Sequence, residues 1–124
     1  MSKINVLAID DDDINLKLVE SMLKRNKFMG EFIKAKNGLD GLNILLQRDD
    51  IGLVLLDIVM PVMNGLEFLG NNQVRAKIKN IPVIVLTTDE TTKKESISKG
   101  ANDFLTKPIT EKLLIEKIEK FITL

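Results

Sequence analysis

Ile51-Gly52-Leu53-Val54-Leu55-Leu56-Asp57-Ile58-Val59-Met60-Pro61-Val62-Met63-Asn64-Gly65 is the stretch whose reading decides the fold. Its apolar run from Ile51 to Leu56 has the length and branched content of a strand buried on both faces, and Pro61 and Asn64-Gly65 mark a loop after it. Asp57 therefore stands where a buried strand emerges. An acid placed at such an exit points to chemistry rather than to packing.

Composition narrows what that chemistry can be. The chain of 124 residues is the size of one domain, able to bury about two thirds of the surface its unfolded form exposes. A single domain over 1–124 with no output domain is expected. Eighteen basic against 18 acidic residues leave no net charge, so nothing global points to nucleic acid or to an anionic membrane surface. Cysteine and histidine are both absent, which excludes disulfides, thiolate and imidazole chemistry, and the metal sites those ligands build. Carboxylates, hydroxyls and amines remain. No apolar run has the length of a signal peptide or a membrane span, so a soluble cytoplasmic protein is expected.

The chain alternates regularly on either side of the Asp57 stretch. Ile4 to Ile9 reads as a strand closed by Asp10 to Asp13, and Leu16, Val19 and Leu23 then form one helical face, with Asp13 as the expected N-cap. Gly30 is expected to break the chain before a short strand from Glu31 to Lys36. Asn37-Gly38 opens a second helix bearing Leu39, Leu42, Leu45 and Leu46. After Asn64-Gly65 a helical signal is interrupted by Gly70-Asn71-Asn72, which predicts a short, broken or frayed helix before Ile78. Val83 to Leu86 reads as a fourth strand. Thr91 to Lys99 predicts a weakly packed helix with Ile97 as its main apolar anchor, Asp103 to Thr106 a fifth strand, and Leu114, Ile115, Ile118 and Ile122 the face of a last helix.

Five strands alternating with five helices imply right-handed crossovers and a mostly parallel sheet covered on both faces. Ligands of such sheets bind beyond the carboxyl ends of the strands. The residues at those ends are Asp10 and Asp11, Asp57, Thr87 and Lys107. Three carboxylates crowded at one rim repel one another unless some are protonated or a divalent cation joins them. With no His or Cys, and with few carboxylates, Mg²⁺ suits this set better than zinc or a fully caged Ca²⁺. Cation and Lys107 together would let the site accept a phosphoryl group, with Thr87 donating to one oxygen and Asp57 as carboxylate nucleophile.

Four motifs carry a family resemblance. Val-Leu-Ala-Ile-Asp10-Asp11-Asp12-Asp13, Leu-Leu-Asp57-Ile-Val-Met-Pro-Val-Met-Asn-Gly, Ile-Pro-Val-Ile-Val-Leu-Thr87 and Phe-Leu-Thr-Lys107-Pro108 resemble the CheY-like receiver domain of two-component response regulators, from near residue 4 to the C-terminus. The resemblance implies a flavodoxin-like fold, a doubly wound α/β sheet of five parallel strands in the order 2-1-3-4-5. It implies Asp57 as the phosphoacceptor, Asp11 as a direct Mg²⁺ ligand, Asp10 contributing through water, and Val59 giving its backbone carbonyl. Thr87 and Lys107 match the pair that binds phosphoryl oxygens, and Phe104 matches the ring that moves inward with Thr87. A cis bond before Pro108 is common in the family. The expected partners are a sensor histidine kinase or histidine phosphotransfer protein upstream and a protein target downstream, with the chain a monomer or weak dimer and not itself an enzyme.

Each residue also has an ordinary reading. The Asp10 to Asp13 run alone is a helix N-terminus favouring negative charge; Asp57 is a strand-end acid, Thr87 a strand residue and Lys107 a solvated amine. Met60 and Met63 read as loop packing. Two other classes fit part of the pattern: a receiver that only binds proteins, and a metal-dependent phosphohydrolase whose nucleophile, in an Asp-x-Asp motif, would be Asp10. The chain departs from the family at Thr88, where a small residue is usual and added bulk is expected to narrow access, and at Ile109, where Phe is common. Val59 and Asp89 are expected to set the lifetime of a phosphorylated form.

Overall fold

The computed structural model describes residues 3–122. Its strands are β1 (Ile4–Ile9), β2 (Met29–Ala35), β3 (Ile51–Leu56), β4 (Val83–Thr87) and β5 (Asp103–Thr106), all parallel and ordered β2-β1-β3-β4-β5. This is the expected order. Because the side-chain period of a strand is two, each central strand feeds two cores. Leu7, Ile9, Val54, Leu56, Val83, Val85 and Phe104 pack on one face with α2 (Gly38–Gln47), α3 (Gly65–Gly70) and α4 (Asn72–Ile78). Val6, Ala8, Leu53, Leu55, Ile84, Leu86 and Leu105 pack on the other with α1 (Asp13–Lys24) and α6 (Glu111–Glu119).

The third crossover is two helices rather than one, so six α-helices occur among the described residues. Asn71 is the reason. Its backbone turns extended at φ −69°, ψ 130°, its N–H closes α3 on the Phe68 carbonyl, and its side chain accepts from Gln73 N and Val74 N to cap α4. An asparagine that hydrogen-bonds ahead of itself competes with the helix it would continue. The end of α3 that opens this region is firm, since Asn64 and Glu67 form a reciprocal capping box.

Three local expectations need correction. Gly30 lies inside β2, which starts at Met29; here the register between β1 and β2 shifts, and the Asn5 side chain accepts from the Glu31 N–H. The N-cap of α1 is Asp12, whose carboxylate accepts from Ile14 N at 2.9 Å, and Asp13 is the first helical residue, paired with Lys36. One residue of shift follows from Asp10, whose Oδ1 accepts from Asp12 N at 2.9 Å and turns the chain early.

The third case is α5 (Lys93–Ser98), a short helix that follows a 3-10 turn at Glu90–Thr92. Ile97 is 42% exposed, and the residue that faces inward is Ser96, fully buried with no partner for its hydroxyl. The helix is therefore held more weakly than its apolar content suggests. An unpaired buried hydroxyl costs about 1–3 kcal/mol, and alanine is also the better helix former. Ser96→Ala is expected to stabilise the domain by about 1 kcal/mol, read as a higher urea midpoint at unchanged slope; an equal or lower midpoint would show that the hydroxyl is satisfied.

Candidate functional site

The sheet itself delivers the acids. Each ladder continues one residue past its strand: Asp10 N donates to the Ala35 carbonyl at 3.0 Å, Asp57 N to Ile9 at 2.9 Å, and Lys107 N to Thr87 at 2.9 Å. Backbone hydrogen bonds thus fix where these side chains leave the sheet. Asp10 and Asp57 are buried at 8% exposure each, whereas Asp11 is exposed. One carboxylate oxygen from each of Asp10, Asp11 and Asp57 lies within 4.8 Å of the others.

Lys107 holds the two buried acids together. Its Nζ lies 2.9 Å from Asp10 Oδ2 and 3.2 Å from Asp57 Oδ2. The remaining oxygen of each is occupied by backbone, since Asp57 Oδ1 accepts from Ile58 N at 2.7 Å as Asp10 Oδ1 does from Asp12 N. Burial pushes the Asp10 carboxyl above its usual pKa, although the Asp12 N–H and the Lys107 ammonium pull the other way. Burial would lower Lys107, but its hydrogen bond to Asp10 and the Asp57 charge outweigh that, so its pKa is raised and it stays an ammonium ion.

Thr87, fully buried at the end of β4, accepts from Asp89 N at 3.3 Å through its hydroxyl oxygen, so its own proton is available to a ligand. Asp89 is turned away, its carboxylate accepting from the amide and hydroxyl of Thr91. Thr88 is exposed, Val59 is 62% exposed beside Asp57 in sequence, and the Phe104 ring is already inside the core. Met60 is buried as loop packing, and Ile109 lines a cleft of about 80 Å³ with Leu18 and Pro108 beside Lys107. The Lys107–Pro108 peptide bond is cis. Asp12, which would complete an Asp-x-Asp pair with Asp10, is spent on capping α1.

Backbone donors escaped the sequence reading because an N–H carries no residue signal. The loop after Asp57 is closed by Gly65 N donating to the Ile58 carbonyl at 2.8 Å, and within it Met63 N reaches the Pro61 carbonyl at 2.8 Å across Val62, whose φ is +68°. A β-branched residue in that region is strained. The site can gather a hard cation on its three acids and an anion against Thr87 and Lys107.

The family model for the response regulator receiver domain matches residues 6–119. The chain belongs to this family, the receiver domains of two-component response regulators, which are signalling domains rather than enzymes in the ordinary sense. It is 36% identical to protein PilH of Pseudomonas aeruginosa over 115 residues, 91% of this chain and 93% of that protein. It is 39% identical over 108 residues to the putative two-component response regulator ARR21 of Arabidopsis thaliana, which takes in 86% of this chain but 17% of that longer protein. A chain in the co-crystal structure of the Saccharomyces cerevisiae phosphotransfer protein Ypd1 with the receiver domain of Ssk1 superposes with TM-score 0.83 and 29% identity, covering 97% of this chain and 89% of that one. One in the CheX-CheY-BeF3-Mg²⁺ complex of Borrelia burgdorferi superposes with TM-score 0.87 and 25% identity, covering 98% and 92%.

A carboxyl whose pKa rises on folding binds its proton more tightly in the native state, so its stabilising effect is lost as pH climbs from the unfolded value of 3.8 through the raised one. Asp10 thus costs stability at neutral pH. Asp10→Asn is expected to melt higher than wild type at pH 7 without divalent cation and to lose that advantage as pH falls to the unfolded value of 3.8; calorimetry at both pH values checks the sign.

Proposed function

We propose that this chain accepts a phosphoryl group on Asp57 from a phosphohistidine of a histidine kinase or phosphotransfer protein. The observation that carries the reading is the convergence of Asp10, Asp11 and Asp57 within 4.8 Å, with one ammonium bridging the two buried acids. A lone pair of the Asp57 carboxylate attacks phosphorus, the P–N bond breaks, and its electron pair returns to the donor's imidazole. The donor histidine lies outside this chain, which has none. Lys107 then follows a phosphoryl oxygen and Thr87 donates its hydroxyl proton to another.

Three hard oxygen donors without nitrogen or sulfur suit Mg²⁺, which Asp10, Asp11, Asp57 and the backbone carbonyl of Val59 would hold. When bound, the ion supplies positive charge that offsets the acids and the incoming phosphate. The exposed Val59 side chain shields the acyl phosphate from water, while Asp89 acts through the turn it caps. The domain itself assists both gain and loss of phosphate. The reading places the chain in the cytoplasm as a monomer or weak dimer, and no helix among the described residues is long and apolar enough to cross a membrane.

Intact mass after incubation with acetyl phosphate should show one Mg²⁺-dependent phosphoryl adduct on wild type, none on Asp57→Asn, and faster decay of the adduct on Val59→Asn. A wild type that never gains the adduct would leave a receiver that works only by binding proteins. If Thr87 transmits the event, amides of residues 89–99 should exchange rapidly without ligand and more slowly with beryllofluoride and Mg²⁺. Equal exchange in the two states would remove α5 from the switch.

A further inference from the structure

The loop that follows Asp57 is anchored from outside at a residue on another crossover. Gly38 is the first residue of α2, and Asn37, the N-cap, satisfies only the Asp40 N–H with its side chain. The Gly38 N–H is one of the orphan donors of that helix end. It donates to the Met63 carbonyl at 2.8 Å, so the helix is capped in part by the acid loop, and the loop is held in part by the helix. The approach leaves no room for a side chain. A Cβ on Gly38 would lie 2.6 Å from the Met63 carbonyl oxygen and 2.8 Å from its Cγ. The backbone oxygen cannot swing aside without moving Met63.

Met63 is joined to the site by short, strained chain. Its N–H bonds back to Pro61 across Val62 at φ +68°, and Gly65 N closes the same loop on Ile58, the residue after Asp57. A push on Met63 therefore reaches Val59, between the closing bond and the strained turn. Ordinary loops absorb such a push through free dihedrals. This one is closed over eight residues, Ile58 to Gly65, and has little freedom to spend.

We propose that Gly38 is a positioning residue for the phosphoacceptor site: its lack of a side chain and its N–H hold the Ile58–Gly65 loop, and with it the Val59 carbonyl, at the place the site requires. The inference rests on the reading of Asp57 and Val59 given above. It names no contact between Gly38 and any ligand. Outer residues that orient ligands commonly change metal affinity about 10- to 100-fold when altered.

The test compares Gly38→Ala with Gly41→Ala. Gly41 lies on the same helix, where an added Cβ would meet the far end of the Ile9 side chain and not the loop, so it reports the cost of crowding α2 against the sheet without touching Met63. The chain has no Trp or Tyr, so Mg²⁺ affinity is read by calorimetry and by amide shifts in NMR. Both variants should melt lower than wild type. Only Gly38→Ala should weaken Mg²⁺ binding, by about tenfold or more, and shift the Val59 and Met63 amides in metal-free protein. If Gly38→Ala folds poorly, the titration is run in trimethylamine N-oxide, which restores the compact state, with circular dichroism confirming it. Equal Mg²⁺ affinity in folded Gly38→Ala and wild type, or equal loss in Gly41→Ala, overturns the inference while leaving Asp57 as acceptor. A wild type with no Mg²⁺ affinity and no adduct on Asp57 overturns the functional reading and this inference with it.

Discussion

Two buried carboxylates share one ammonium ion, and the rest of the molecule is arranged around that repulsion. Asp10 and Asp57 could not stand side by side at 8% exposure on flexible loops, because each would swing toward water. The parallel sheet prevents this. Its ladder runs one residue past β1 and β3 through Asp10 N and Asp57 N, and two more backbone amides, from Asp12 and Ile58, grip one oxygen of each acid. What is left for chemistry is the pair of oxygens facing Lys107.

Such a site costs stability, and the core offsets it. Every central strand is buried on both faces, with two clusters of apolar side chains that draw on different helices. Strain at Val62 and the raised pKa of Asp10 are local debts set against that large, regular burial. The division of labour is spatial: apolar residues fill the strands, and conformational cost collects in the loops after them.

This division explains how much was legible from residues alone. Apolar runs of strand length gave β1 and β3 to the residue, and acids and Lys at strand ends gave Asp10, Asp11, Asp57 and Lys107 as neighbours, because periodicity and sheet topology are strong constraints. Features decided by single hydrogen bonds were not legible. Asp12 rather than Asp13 caps α1 because Asp10 accepts from Asp12 N, and Asn71 splits the third crossover by capping forward. The inward face of α5 was misassigned because a helix of six residues has too few positions to fix its phase, and an apolar Ile97 outweighed the small Ser96 that is the buried residue. Gly38 carries no pattern at all beyond a turn, and its meaning lies in a contact 25 residues along the chain at Met63.

The weakness of α5 has the same origin as the strength of the site. Six residues are too few to make a helix stable by itself, so tertiary contacts decide its population, and those contacts include an orphaned Ser96 hydroxyl and an exposed Ile97. The turn that leads into it is tied to the rim by the bond from Asp89 N to the Thr87 hydroxyl, at 3.3 Å already a long one. Losing a hydrogen bond of this kind is worth about 1 kcal/mol, which changes a two-state population roughly fivefold. In α1 or α6, anchored by Leu16, Leu23, Leu114 and Ile118 at 2% exposure or less, the same loss would leave the helix where it is. A small change at Thr87 is therefore expected to reach α5 before α1 or α6, because a six-residue helix with an exposed Ile97 has less to hold it than those anchored helices.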